Sequence, residues 1–230
     1  MRTTVLTPHL TQLTRLAMMN AYLVREDDGF TLVDTMIRGS GAKLAAAAEA
    51  LGAPIRRIVL THGHADHVGS VDQLRALLGD AVEVLAPARD WRIVTGDRAL
   101  APEEGTNKLR GSWMKVATTP DTLLSPGDRV GSLEVVASPG HTPGHVALLD
   151  TRDRALISGD AFSTIAGTTV SGVMNWRFPL VAIATWDAGR AAGSARALRA
   201  LEPTLLAPGH GRAVRQPSAA IDRALAKAGN

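Results

Sequence analysis

An apolar run from Ile55 to Leu60, the pattern of a buried strand, breaks off at Thr61-His62-Gly63-His64-Ala65-Asp66-His67. Three of the chain's seven histidines fall between positions 62 and 67. Histidines scattered through a core or over a surface do not gather in this way at the end of a buried strand. His62 and His64 are two apart, so an extended backbone projects both to one side. Gly63 and Ala65 are small and let the backbone approach an ion closely. Asp66 and His67 fall where the next helix starts, and that turn re-aims them toward a neighbouring point. One stretch can therefore feed two adjacent metals. The chain has no cysteine, so ligands must be imidazoles and carboxylates, which suit zinc, manganese or iron.

Three further segments place a candidate ligand beside glycine after a strand-like run. They are Pro139-Gly140-His141-Thr142-Pro143-Gly144-His145, Ser158-Gly159-Asp160 and Pro208-Gly209-His210-Gly211. Such positions gather distant residues at one edge of a sheet. Singly, each is better read as a turn; together with the cluster they indicate a metal centre.

The rest of the pattern predicts alternating elements. A hairpin is expected from Ala21–Arg25 and Phe30–Asp34, then a helix over 41–51, a strand over 55–60, a helix over 68–78 and a strand over 82–86. From about 89 to 125 periodicity is lost, as in an irregular insertion that is functional or mobile. Strands are expected over 128–137, 145–150, 155–158 and 205–207, with helices over 186–201 and 218–228. Each half then mixes a sheet with helices covering one side. Stacked sheet to sheet, the halves make one α/β domain over residues 1–230, a four-layer αββα sandwich.

His62-Gly63-His64-Ala65-Asp66-His67 followed by His141, Asp160 and His210 resembles the signature of the metallo-β-lactamase superfamily over essentially the whole chain. The resemblance implies that His62, His64 and His141 hold one metal, that Asp66, His67 and His210 hold a second, and that Asp160 bridges them. The metallo-β-lactamase fold is that same sandwich, with the metals at one edge. Two divalent ions are implied, usually zinc, with manganese or iron in relatives. Cations about 3.5–4 Å apart lower the pKa of a shared water, so a metal-bridging hydroxide is available without a separate base. Asp66 is then the residue to orient it and pass its proton on as general acid.

The departures narrow the branch. Members with a cysteine ligand are excluded by composition. The chain runs only from His210 to Asn230 where glyoxalase II carries a further helical domain. Ser163 stands where lactone lactonases typically carry a tyrosine, three residues past the bridging aspartate. The expected function is hydrolysis of a small ester, lactone or thioester. The alternatives are a persulfide dioxygenase-like enzyme with one iron, a phosphodiesterase or nuclease, and an inactive metal scaffold.

Composition bounds the partners. With 45% hydrophobic residues and a formal charge of +3, the chain matches a globular protein acting on a small molecule. Neither nucleic acid nor membrane is expected as a partner, and homodimerisation is left open. No secretory signal is visible, which predicts a cytoplasmic protein. His145 is read as supporting a ligand and His9 as a surface residue; Asp34 is read equally as a buttress of the His-rich loop or a turn carboxylate. Trp91, Trp113, Phe162, Met174, Trp176 and Phe178 are expected to rim an apolar pocket, though each alone could fill the core.

Overall fold

The computed structural model describes residues 1–229. The chain begins with β1 (Arg2–Val5), β2 (Leu10–Arg15), β3 (Met19–Glu26) and β4 (Gly29–Val33), which form an antiparallel meander. The predicted hairpin is present, with Glu26 opposite Gly29 across the Asp27-Asp28 turn. Gly29, at φ +144°, closes it in a conformation that side chains rarely adopt. The sheet then turns parallel through β5 (Ile55–Val59), β6 (Glu83–Pro87) and β7 (Thr122–Leu124). Parallel neighbours need crossovers. These carry α1 (Gly41–Ala50), then α2 (Ala65–Val68) and α3 (Val71–Leu78), then α4 (Ala88–Val94).

The second half supplies β8 (Arg129–Val130), β9 (Leu133–Ala137), β10 (Val146–Asp150), β11 (Ala155–Ser163) and β12 (Thr169–Val170). After α5 (Leu180–Ala184) and α6 (Ala188–Ala200), the chain returns as β13 (Leu205–His210), parallel to β11, and ends in β14 (Val214–Arg215) and α7 (Ser218–Ala228). A single pairing, His210 opposite Met19, joins β13 to β3 and makes the halves one continuous curled sheet.

Side-chain alternation along the strands builds the layers. Leu32, Ile58 and Val84 point outward and pack with Leu44, Ala48, Val71 and Leu74 of the first helices. Their neighbours Val33, Val59 and Leu85 point inward and meet Leu148, Ile157 and Ala207 of the other half. Leu149, Leu156 and Leu206 face away again, onto Leu198 of α6 and Ile221 of α7. Two outer cores and one between the sheets are the four layers of an αββα sandwich.

Several boundaries differ from the sequence reading. The segment before residue 10, for which the sequence predicts no element, pairs with β2 as β1. Residues 88–94, partly within the expected irregular stretch, form α4, because Asp90, Trp91, Ile93 and Val94 all find buried partners. β11 continues to Ser163, past the expected end at Ser158, through a bulge at Gly159 (φ +48°). No helix among the described residues is long and apolar enough to cross a membrane.

Candidate metal centre

All seven ligand candidates converge where the two halves of the sheet meet. His62 and His64 follow β5, Asp66 and His67 lie on α2, and His141 is in the loop between β9 and β10. Asp160 and His210 lie within the bulged ends of β11 and β13, not after them as the sequence reading had it. Ligand atoms within 4.8 Å of one another define three groups: His62, His64 and His141; His62, His67 and Asp160; Asp66, His67 and His210. Asp160 spans them, with Oδ1 3.4 Å from His67 Nε2 and Oδ2 3.5 Å from His141 Nε2 and 3.2 Å from His210 Nε2. Asp66 Oδ2 lies 3.2 Å from His210 Nε2.

Each imidazole is anchored through one nitrogen and presents the other to the centre, the arrangement that fixes tautomer and direction in metal-ligating histidines. His67 Nδ1 meets Asp34 Oδ2 at 2.7 Å, and His141 Nδ1 meets Ser171 Oγ at 2.9 Å. His64 Nε2 meets the Arg110 carbonyl at 3.0 Å, His210 Nδ1 the Met18 carbonyl at 3.2 Å, and His62 Nδ1 Thr61 Oγ1 at 3.0 Å. The inward atoms His62 Nε2, His67 Nε2 and Asp160 Oδ1 are buried without a hydrogen-bond partner. Buried polar atoms are almost always paired. Three orphans facing one point fit residues that share an ion, so the donor set suits divalent metals.

The electrostatics agree. Burial holds His62, His64 and His141 below the usual histidine range, so they are neutral donors at pH 7. Burial also opposes protonation of His67 and His210, but Asp160 leads a set of carboxylates that outweighs it, raising both, His210 to about 9. Burial would raise Asp66 and Asp160 too, yet the facing imidazoles His67 and His210 hold both below the ordinary carboxylate range. The cluster demands positive charge at its centre.

The supporting residues were partly legible. Asp34 is a buttress: besides His67 it accepts from Thr61 N at 2.8 Å and Thr61 Oγ1 at 2.9 Å, and it sits at φ +60° to do so. His145 supports Asp160, whose backbone N–H it accepts at 3.0 Å while Ser138 Oγ meets its other nitrogen at 2.8 Å. His9 is half-buried and belongs to none of the three ligand groups. The aromatic set divides. Trp91 and Phe162 are core residues on a helix and a strand. Trp113 packs edge-on to His64 at 4.9 Å, while Phe178 lies 5.3 Å from His210 and lines the cavity above the site.

Two supports escaped the sequence reading. Asp90, fully buried on α4, accepts from Gly63 N (2.9 Å), Thr142 Oγ1 (2.6 Å) and Gly144 N (2.6 Å). One carboxylate thus ties the loop of His62 and His64 to the loop of His141. Across the site, Gln12, Asn20 and Tyr22 hold the His210 segment: Tyr22 OH donates to the Pro208 carbonyl at 2.6 Å and Asn20 Nδ2 to the Gly211 carbonyl at 2.7 Å. Gln12 Nε2 reaches that same Gly211 carbonyl at 3.0 Å. The alternation of polar residues along β2 and β3 was the available signal. Gly209 is required between the clamp and the ligands, since a Cβ there would collide with Asp160 and His67.

Asp90→Ala strands two buried donors, Gly63 N and Thr142 Oγ1, and a half-buried one, Gly144 N, and is expected to cost roughly 3 kcal/mol of stability. It should also weaken metal binding, because two ligand loops lose their common tie. Chemical denaturation and a zinc titration check both; unchanged zinc affinity would show that the loops hold their geometry without Asp90.

Comparison with known proteins places the chain in a class. The family model of the metallo-beta-lactamase superfamily matches residues 15–210, and the chain belongs to that superfamily. It is 41% identical over 211 residues to the uncharacterized protein YobT of Bacillus subtilis, covering 91% of this chain and 90% of that one. It is 30% identical to the probable metallo-hydrolase YflN of the same organism, over 84% of this chain and 80% of YflN. Among solved structures, TTHA1623 in a di-iron-bound form matches with a TM-score of 0.65 at 28% identity, covering 89% of this chain and 93% of that one. The fold is the metallo-β-lactamase fold, and the protein is a metallo-hydrolase of that superfamily.

Proposed function

We propose that the protein is a binuclear metal-dependent hydrolase of esters, lactones or thioesters. The observation that carries this reading is the double ligand set joined by Asp160, with every imidazole anchored from behind and aimed inward. His62, His64 and His141 would hold one cation and Asp66, His67 and His210 the other. Imidazole and carboxylate donors suit zinc, and the di-iron form of TTHA1623 makes iron the second metal to test. When bound, a pair of divalent cations ionises a shared water and polarises the acyl oxygen.

The chain's own residues supply the proton transfers. Asp66 is the one member of the ligand set that is not buried, its side chain 32% exposed on the cavity floor. Held ionised by His67 and His210, it starts as a proton acceptor. It can then return the proton to the leaving alcohol or thiol, completing addition of water across the acyl bond. Asp160 and Asp34, both buried, keep the histidines in register.

Metal analysis and a substrate panel test the reading. Purified protein loaded with zinc or iron should carry two ions per chain and hydrolyse at least one ester, lactone or thioester. Fewer than two ions with no hydrolysis overturns it. One iron, with oxygen consumption on glutathione persulfide, would assign the site to a dioxygenase instead.

A further inference from the structure

Hydrolysis as such does not account for the wall that faces the metal centre. A cavity of about 440 Å³ opens over Asp66 and His210, within the range of small-molecule sites. Part of its lining comes from α5, Leu180-Val181-Ala182-Ile183-Ala184, apolar at every position. Val181 is buried, but Leu180 and Ile183 are 60% and 54% exposed, and both line the cavity. Phe178 joins them from the segment before the helix, and Met18 and Ile37 add further apolar lining. A surface helix normally turns polar residues to solvent, whereas this one offers apolar side chains to the space above the ligands.

The charge lining this space is as informative. Among the described residues no arginine or lysine lines it, and its ionisable groups are the histidines and aspartates of the metal centre. A substrate carrying a carboxylate or phosphate away from its scissile bond would have to leave that charge unpaired against an apolar wall, which is costly.

We propose that the cavity is an acyl-chain site: it selects neutral esters, lactones or thioesters whose acyl part is a medium-length apolar chain laid along α5. The proposal rests on the hydrolase reading for the reacting bond, and the chain-binding wall is its own addition. The carbonyl lies over Asp66 and Asp160, and the chain runs past Phe178 toward Leu180 and Ile183.

A chain-length series on the metal-loaded protein tests it, using 4-nitrophenyl esters from acetate to decanoate and the monoester of adipate. Acetate, hexanoate and decanoate are titrated calorimetrically in parallel. The value of kcat/KM should rise about fourfold per added methylene until the cavity is filled. The adipate ester, with its terminal carboxylate, should fall at least about tenfold below hexanoate. Carboxylate affinity should climb in the same order. Joint Leu180→Ser and Ile183→Ser substitution, at exposed positions that do not hold the core, should reduce the step to about twofold or less. Flat rates with flat affinities overturn the proposal and leave the hydrolase reading standing. Rising affinity with no ester turned over keeps the chain site and removes the hydrolase reading. An unchanged slope, with a dimer converted to monomer by the same substitutions, assigns α5 to a second copy of the chain and also overturns it.

Discussion

Asp66→Asn is expected to lower kcat by about 10²–10⁴-fold, the range associated with losing a positioned acid–base group. The amide keeps the shape of the carboxylate but can neither accept nor return a proton. It also removes an anionic donor 3.2 Å from His210 Nε2, so the cation proposed to sit between Asp66, His67 and His210 should bind more weakly. The fold should survive: Asp66 lies on the four-residue α2, partly exposed, and joins none of the three hydrophobic clusters. Steady-state kinetics at saturating metal separates the two effects. A fall in kcat that persists with both ions bound is the proton-transfer loss, and a fall cured by excess metal is the binding loss. Unchanged rate and metal content would show that Asp66 has neither role.

How much of this was readable before the structure depends on the range of each contact. The segment His62 to His67 is local, and its spacing alone announced two aims from one stretch. His141, Asp160 and His210 were legible because glycine marks each as a place where a strand lets its backbone bend; Gly159 does bend β11 at a bulge. Asp34 could be named but not decided, since only the fold brings it within 2.7 Å of His67 Nδ1. Asp90 was hidden. In Arg89-Asp90-Trp91 it looks like an ordinary charged position, and its partners Gly63 and Thr142 are 27 and 52 residues away. Trp91 and Phe162 were misplaced for a related reason. Aromatics beside polar residues suggest a rim, but α4 and the extension of β11 turn both rings into the core. The closure of the sheet through His210 and Met19 has no local signature, being a single pair between the ends of the chain.

Removing the metals with a chelator is expected to lower thermal stability, and by more at pH 9 than at pH 5.5. At a free metal concentration 1,000 times the dissociation constant, binding contributes about 4 kcal/mol. For a chain of this size that corresponds to roughly 8–16 °C in Tm. The pH dependence follows from how the chelated protein neutralises its carboxylates. His67 and His210 are raised above the free histidine value of about 6.5, His210 to about 9. Their stabilising contribution is therefore complete below about pH 6.5 and is lost as pH rises further, for His210 through about 9. Asp66 and Asp160 are lowered, so theirs is present above about pH 4 and lost only on strong acidification. Burial lowers His62, His64, His141 and His145, so the native protein resists protons that the unfolded chain takes up below about pH 6.5. The chelated protein should thus be most stable near about pH 6.5, weakening on acidification and, as His67 and His210 lose their protons, toward pH 9. The metal-loaded protein should gain over the same interval, because cations displace those two protons and compete better as protons become scarce. Loading at pH 7 should accordingly release up to two protons per chain from His67 and His210, beyond the one from the water that a metal pair would ionise, into a weakly buffered indicator solution. Melts with and without chelator at pH 5.5, 7 and 9 give the rest. A gap in Tm that stays constant with pH, or loading that releases no proton beyond the one from water, would mean that His67 and His210 do not carry the charge that the metals replace.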